Sequence, residues 1–402
     1  MVAPAVALDF LTRVQSADKT DRTIPDFLIG LKSSKLKSEA GALVEKWLSE
    51  RKFLWQLAIY EQSSSPIDTG HLKIYTDAAL DNKDEMLAVL VFGIAFEASA
   101  DFVSYLEANV FIPCLDFFID IHSGKWVNAV WYRKRNWILP HLSETVAERM
   151  ASTLIYSSKV DIHEEWVLAG LTERYPEIVL KLFSDRIELS DKKDIAPENF
   201  EPVPYEFHNL KDAFAPHFDL VAEAARLIHR GSGWHQKEYS ARLLHNAFPE
   251  FPDALSEYSK RIIAGGEVSD LKFVVKVLRE YEGDARMDDV CRDLVEAIPE
   301  EDEILTEIRI AIESSGVVSG EFGFVEVYQD RRQRMEAWLT DPRAKVRGFA
   351  ERFIVELDNA IAAEQKRAED GIEAMKHTYG DDDTPEETTS DTADPSDQSN
   401  PP

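Results

Sequence analysis

Between Asp341 and Tyr379 the chain reads DPRAKVRGFAERFIVELDNAIAAEQKRAEDGIEAMKHTY, and its apolar residues recur every three or four positions. Val346, Phe349, Ala350, Phe353, Ile354, Leu357, Ala360 and Ile361 fall on one stripe of a 3.6-residue helix. Asp341 is placed to cap the free N–H groups of such a helix, and Pro342 in its first turn loses no hydrogen bond. Beyond Ile361 the stripe thins to Ala368, Ile372 and Met375 while Glu364, Lys366, Arg367, Glu369 and Asp370 crowd in. The first half is therefore expected to dock on the body of the protein. The second half is expected to project, offering Glu364, Arg367 and Lys376 to a partner. Upstream, Gly316, Gly320 and Gly323 mark a turn between helices. They lack the strand, lysine and Ser/Thr of a phosphate-binding loop.

Helical spacing recurs through most of the chain. A helix is expected from Glu39 to Tyr60, and a dense apolar series from His71 to about Ser157. His163–Arg186 reads as a helix pair, with Trp166, Val167, Leu168 and Leu171 in the first member. Tyr175-Pro176 makes the turn, and Ile178, Val179, Leu182 and Phe183 lie in the second. Further pairs run to Ser314. Pro197, Pro202 and Pro204 disfavour a regular helix in Glu188–Leu210. These breaks give an N-terminal helical domain (1–190), a proline-rich linker or insertion (191–210), a helical repeat domain (211–340), a long amphipathic helix (341–379) and a disordered acidic tail (380–402). The fold class is all-α.

Charge narrows the partners. The chain carries a formal −29, of which eight charges fall in residues 380–402, where no basic residue occurs. The body remains strongly acidic, which disfavours nucleic acid or an anionic membrane as a general partner. Two distant cysteines, Cys114 and Cys291, exclude a disulfide framework or a cysteine-built zinc site and read as core thiols in a reducing compartment. No secretory signal is read at the N-terminus, and the apolar run Met86–Phe96 is too short to span a bilayer. A cytoplasmic protein is expected.

No residue is assigned a catalytic, cofactor-binding or metal-binding role. HEEWV at His163–Val167 begins like a zinc-protease helix, but Val167 stands where the second histidine ligand belongs. The acids of PEEDEI at Pro299–Ile304 suit a helix N-terminus, where the dipole favours negative charge. No G-x-S-x-G elbow occurs. Trp126, Trp131, Tyr132, Arg133, Arg135 and Trp137 concentrate the aromatic and arginine residues that anchor protein interfaces.

The two-helix units, with Asp341-Pro342 leading into Val346 and Arg347, resemble the HEAT-like and armadillo-like superfamily. The match is specific over residues 170–186 and 338–356. This resemblance implies an irregular two-layer alpha-solenoid whose surface holds a protein partner, as a scaffold or adaptor. The region from Gly316 onward is also similar to helical accessory segments of bacterial multi-component or defence-associated systems, a likeness that assigns no residue a role. Two alternatives stand beside the scaffold. One is an enzyme with a cleft at the junction near residue 200, drawing on His208, His217, His229 and His235. The other is a nucleic-acid-binding groove joining Arg133, Lys134 and Arg135 to Arg226, Arg230 and Lys237.

Overall fold

The structure is a computed structural model that describes residues 3–63, 67–131, 138–192, 194–299, 302–314 and 318–379, with side chains to residue 375. The described residues are helical throughout their regular segments, and no strand occurs among them. The chain divides into two compact units, Met1–Ala297 and Ile298–Pro402. The acidic tail expected to be disordered lies outside the described residues.

In the first unit the helices fall into two successions. Leu54–Gln62, Glu85–Ala95, Trp126–Trp131, Ile162–Thr172, Leu210–Phe214, Trp234–Ala247 and Val268–Glu280 each pack on the next. Thr69–Asp81, Ile112–Asp120, Glu144–Thr153, Pro176–Ser190, Phe218–His229, Asp253–Gly265 and Asp288–Ala297 form the other. Cross-contacts join the two, as between Ile162–Thr172 and Pro176–Ser190. Each helix therefore has neighbours on two sides, which explains why its apolar stripe is broad. Aromatic packing is densest around Phe92, whose ring lies 5.2–5.8 Å from those of Phe96, Phe111, Phe118 and Trp126.

The helical run Ala100–Asp120 has the length and apolar content of a bilayer span. Its charged residues, Asp101, Glu107, Asp116 and Asp120, hide this from a search for unbroken apolar runs. Leu106, Val110, Phe111, Cys114, Leu115 and Phe118 within it are fully buried in the first unit.

The proline-rich segment is stitched to the helix pair beside it. Arg186 is fully buried (0% exposed) on the apolar face of Pro176–Ser190. Five backbone carbonyl oxygens lie within hydrogen-bonding reach of its guanidinium. Those of Leu154, Ile155 and Ser157 approach Nη1 at 2.7, 3.2 and 2.8 Å. Pro202 O meets Nε at 3.1 Å and Glu201 O meets Nη2 at 2.6 Å. The Phe200 ring covers the group at 4.6 Å. Because Leu154 caps the C-terminus of Glu144–Thr153, the cation also faces the negative end of that helix dipole. Further on, Val203 and Phe207 are buried, and Asn246 Nδ2 donates to Pro204 O at 2.6 Å. Residues 194–210 thus form part of the first unit's packed body.

In the second unit, Gly323–Trp338 and Ala344–Tyr379 pack as an antiparallel hairpin. Trp338 stacks on Phe349, Arg332 pairs with Asp358, and Arg367 lies over Phe324. The long helix begins at Ala344, two residues after the start expected at Pro342. Asp341 instead accepts from Arg343 N at 2.9 Å and pairs with that guanidinium, while Arg347 donates to Asp341 O at 2.7 Å. Val346, Phe349, Ala350, Phe353 and Leu357 are buried as their spacing predicts. Docking continues one contact further, to the buried Ala368, because Gly323–Trp338 reaches back that far. Gly320, at φ +88°, supplies the left-handed turn expected of the joint.

Replacing Arg186 with Leu leaves five buried or part-buried carbonyls without this donor. It is expected to destabilise the first unit by about 3 kcal/mol in urea unfolding of the full chain. The exposed Lys192→Ala control should change little. Equal midpoints for the two variants would mean that the arginine contributes nothing to the packing.

Candidate functional site

Ile162–Thr172 is the floor of an open groove in the first unit. It starts with a capping box, in which Asp161 accepts from Glu164 N at 2.9 Å and Glu164 accepts from Asp161 N at 3.3 Å. Val167, Leu168 and Leu171 turn inward. Trp166, Ala169, Gly170 and Glu173 share the opposite, outward face, at the i, i+3, i+4 and i+7 spacing of one helix side.

Leu139–His141 makes one wall. The Leu139 side chain approaches so closely that a Cβ on Gly170 would lie 2.5 Å from its Cδ2. Arg174 donates to Pro140 O at 2.5 Å, and Tyr175 Oη donates to Leu142 O at 3.0 Å. The opposite wall is Asn209–His217, held by Glu165. That carboxylate is only 2% exposed, and it accepts the backbone N–H groups of His208 at 2.6 Å and Leu210 at 2.9 Å, with Asn209 N between them. These donors lie at the start of the helix Leu210–Phe214, where a negative charge is favoured. The space between the walls is a groove of 600 Å³.

Aromatic rings edge this groove. Trp131 is half-buried, stacks on His163 with centroids 4.7 Å apart, and meets Trp166 edge-on at 5.2 Å. The His163 ring is oriented by Asn128, 2.8 Å from Nδ1. Of the interface candidates expected from sequence, Trp131 comes nearest, packed against the groove-lining Trp166. Trp126 is fully buried, with Nε1 donating to Thr153 Oγ1 at 2.9 Å, so it is a core residue. Tyr132, Arg133, Lys134, Arg135 and Trp137 lie outside the described residues. In the second unit, Glu364 is half-buried and pairs with the exposed Arg367 at 2.6 Å, while the Lys376 side chain lies outside the described residues. Sequence spacing groups Trp166 with Val167, Leu168 and Leu171 in one helix, whereas the structure turns it to the outward face. Its position opposite Val167, Leu168 and Leu171 on the helical wheel is the signal that distinguishes it.

The histidines of the proposed cleft do not converge. His229 is buried against Ser240 Oγ at 3.3 Å, and burial lowers its pKa. His235 pairs with Asp191 at 2.8 Å, His208 is exposed, and His217 lines the groove. Among the described residues no group of three or more His, Cys, Asp or Glu is arranged to hold a metal ion. Arg226 and Arg230, named for a basic groove, are engaged with acids instead. Both guanidiniums meet Asp270 at 3.0 Å, and Arg226 also chelates Glu223 at 2.7 and 2.8 Å. Cys114 and Cys291 are buried, and burial pushes the Cys114 thiol up to about 12.

Comparisons of the chain with protein families, with curated proteins and with solved structures found no match.

Beneath the floor, burial pushes the Glu164 carboxyl up to about 7, against the opposing pull of the Ser157 hydroxyl (2.8 Å), the Asp161 N–H and the Arg186 charge. A carboxyl raised on folding holds its proton more tightly in the native state. Its contribution to stability is present below the ordinary carboxylate range and is lost as pH rises through about 7. Glu164→Gln keeps an acceptor for Ser157 but cannot ionise. Its loss of unfolding free energy between pH 5 and pH 8 is expected to be shallower than that of the wild type, on the order of one pKa unit's worth or more. Parallel pH profiles would contradict the assignment.

Proposed function

We propose that this chain is a protein-interaction scaffold or adaptor, an irregular HEAT-like solenoid that binds a protein partner along one row of its helices. The observation that carries the reading is the pairing of an open groove with half-exposed aromatic rings. Trp166 lines the groove with the Trp131 ring packed against it, Pro140 and Pro216 line its two walls, and the floor helix presents its outward side chains to solvent. Aromatic side chains bury much surface while fixing few rotatable bonds, which suits them as anchors for another chain. The alternating helix neighbours of the first unit support the solenoid reading, because stacked pairs leave one long face per row. In the second unit Arg367, exposed over Phe324, supports a further contact on the last helix. A cytoplasmic location suits such a role.

The test is affinity capture by the full chain from its native cells, comparing wild type with Trp166→Ala and Trp131→Ala. A stoichiometric protein partner is expected with the wild type. Its recovery should fall about tenfold or more in the Trp166 variant, the loss expected when an interface anchor is truncated. Circular dichroism should show the same helix content in all three proteins. Recovery of the same partner in equal amounts by both variants would remove the groove from the interface.

A further inference from the structure

A second groove lies on the other row of helices, between Glu144–Thr153 and Pro176–Ser190, with a volume of 420 Å³. Its lining joins the apolar side chains of Ala151, Ile155, Ile178 and Leu182 to acids on both rims. Glu144 and Glu148 stand one turn apart on the first helix, and Glu177 stands on the second. All three are exposed. Lys181, the single cation among the described lining residues, is paired within its own helix to Asp185 at 2.5 Å.

Neighbouring junctions of the same row are built differently. Arg149 crosses from Glu144–Thr153 to Asp116 of Ile112–Asp120 at 2.7 Å. Arg261 of Asp253–Gly265 reaches Asp219 of Phe218–His229 at 3.5 Å. In those places opposite charges bridge two helices, whereas here like charges face each other across an apolar floor. Such an arrangement suits a ligand that brings positive charge and an apolar face together.

We propose that this groove docks a basic amphipathic segment of a partner protein, its aliphatic side chains on Ile155, Ile178 and Leu182 and its lysines or arginines between Glu144, Glu148 and Glu177. The charge complementarity excludes nucleic acid and anionic lipid surfaces as occupants. The apolar floor distinguishes the ligand from a simple polyamine, which would have nothing to place on Ile178 and Leu182. The site is separate from the aromatic groove on the other row, so it stands or falls independently of that surface.

The experiment is fluorescence anisotropy of the full chain with labelled synthetic peptides of about twelve residues, in which Leu or Phe and Lys or Arg follow helical spacing. A Kd of about 1–100 µM at low salt is expected for the best of the series, with no binding of the counterpart in which Glu replaces each basic residue. The double variant Glu148→Gln/Glu177→Gln should weaken binding about tenfold. The control Asp253→Asn/Glu282→Gln, which removes the same charge at distant exposed positions, should leave it unchanged. Equal weakening by both pairs would reduce the attraction to overall net charge and overturn the proposal. So would spermine that binds as tightly as the peptide and displaces it at equal concentration, or the absence of binding across the series.

Discussion

The interaction on which the first unit depends is a single buried guanidinium serving two stretches of chain that are not helical. Carbonyl groups leaving the end of Glu144–Thr153 and carbonyl groups at 201–202 all need donors. Arg186 meets both sets from within an otherwise apolar helix face. Arginine suits the position because its planar fork offers five N–H donors in fixed directions, which lysine cannot match. Burial pulls its pKa down to about 10, which still leaves it charged at neutral pH. The charge is offset by the nearby helix C-terminus, by Glu201, and by Glu164 to the extent that it is ionised.

This arrangement converts a proline-rich stretch into structural material. Once residues 201–202 are held, Val203 and Phe207 are placed in the core and the chain arrives at Glu165, which receives three successive backbone N–H groups. The wall of the aromatic groove starts there. One helix pair therefore supplies the cation that fixes the segment, the anion that fixes its end, and the floor on which Trp166 is displayed. The open groove rests on polar groups buried in its walls and beneath its floor.

Much of the helical pattern was legible in the sequence, and the reasons are local. The stripe from Val346 to Leu357 and the pair around Tyr175-Pro176 declare themselves through spacing and a turn residue. What stayed hidden depends on long-range partners. Pro197, Pro202 and Pro204 correctly exclude a helix, but they do not say that the stretch is packed. The clue lay elsewhere: Arg186 and Glu165 each occupy a buried face of their helix, where a charge demands a partner. Sequence spacing shows that demand and leaves the partner unknown, because carbonyls at 154–157 and N–H groups at 208–210 carry no side-chain signature. Trp126 and Trp131 illustrate the same limit. Both sit in one short helix of equal aromatic promise, yet one donates to Thr153 in the core and the other packs half-buried on His163 and Trp166.

Hydrogen exchange of the backbone amides over residues 194–217, in the full chain, addresses the central claim most directly. If the segment is clamped, the amides of His208, Asn209 and Leu210 exchange about as slowly as those of Ile162–Thr172, and Glu165→Gln accelerates those three while that helix keeps its protection. Exchange across 194–217 in the wild type at the rate of an unstructured peptide would contradict the clamp and return the segment to the status of a linker.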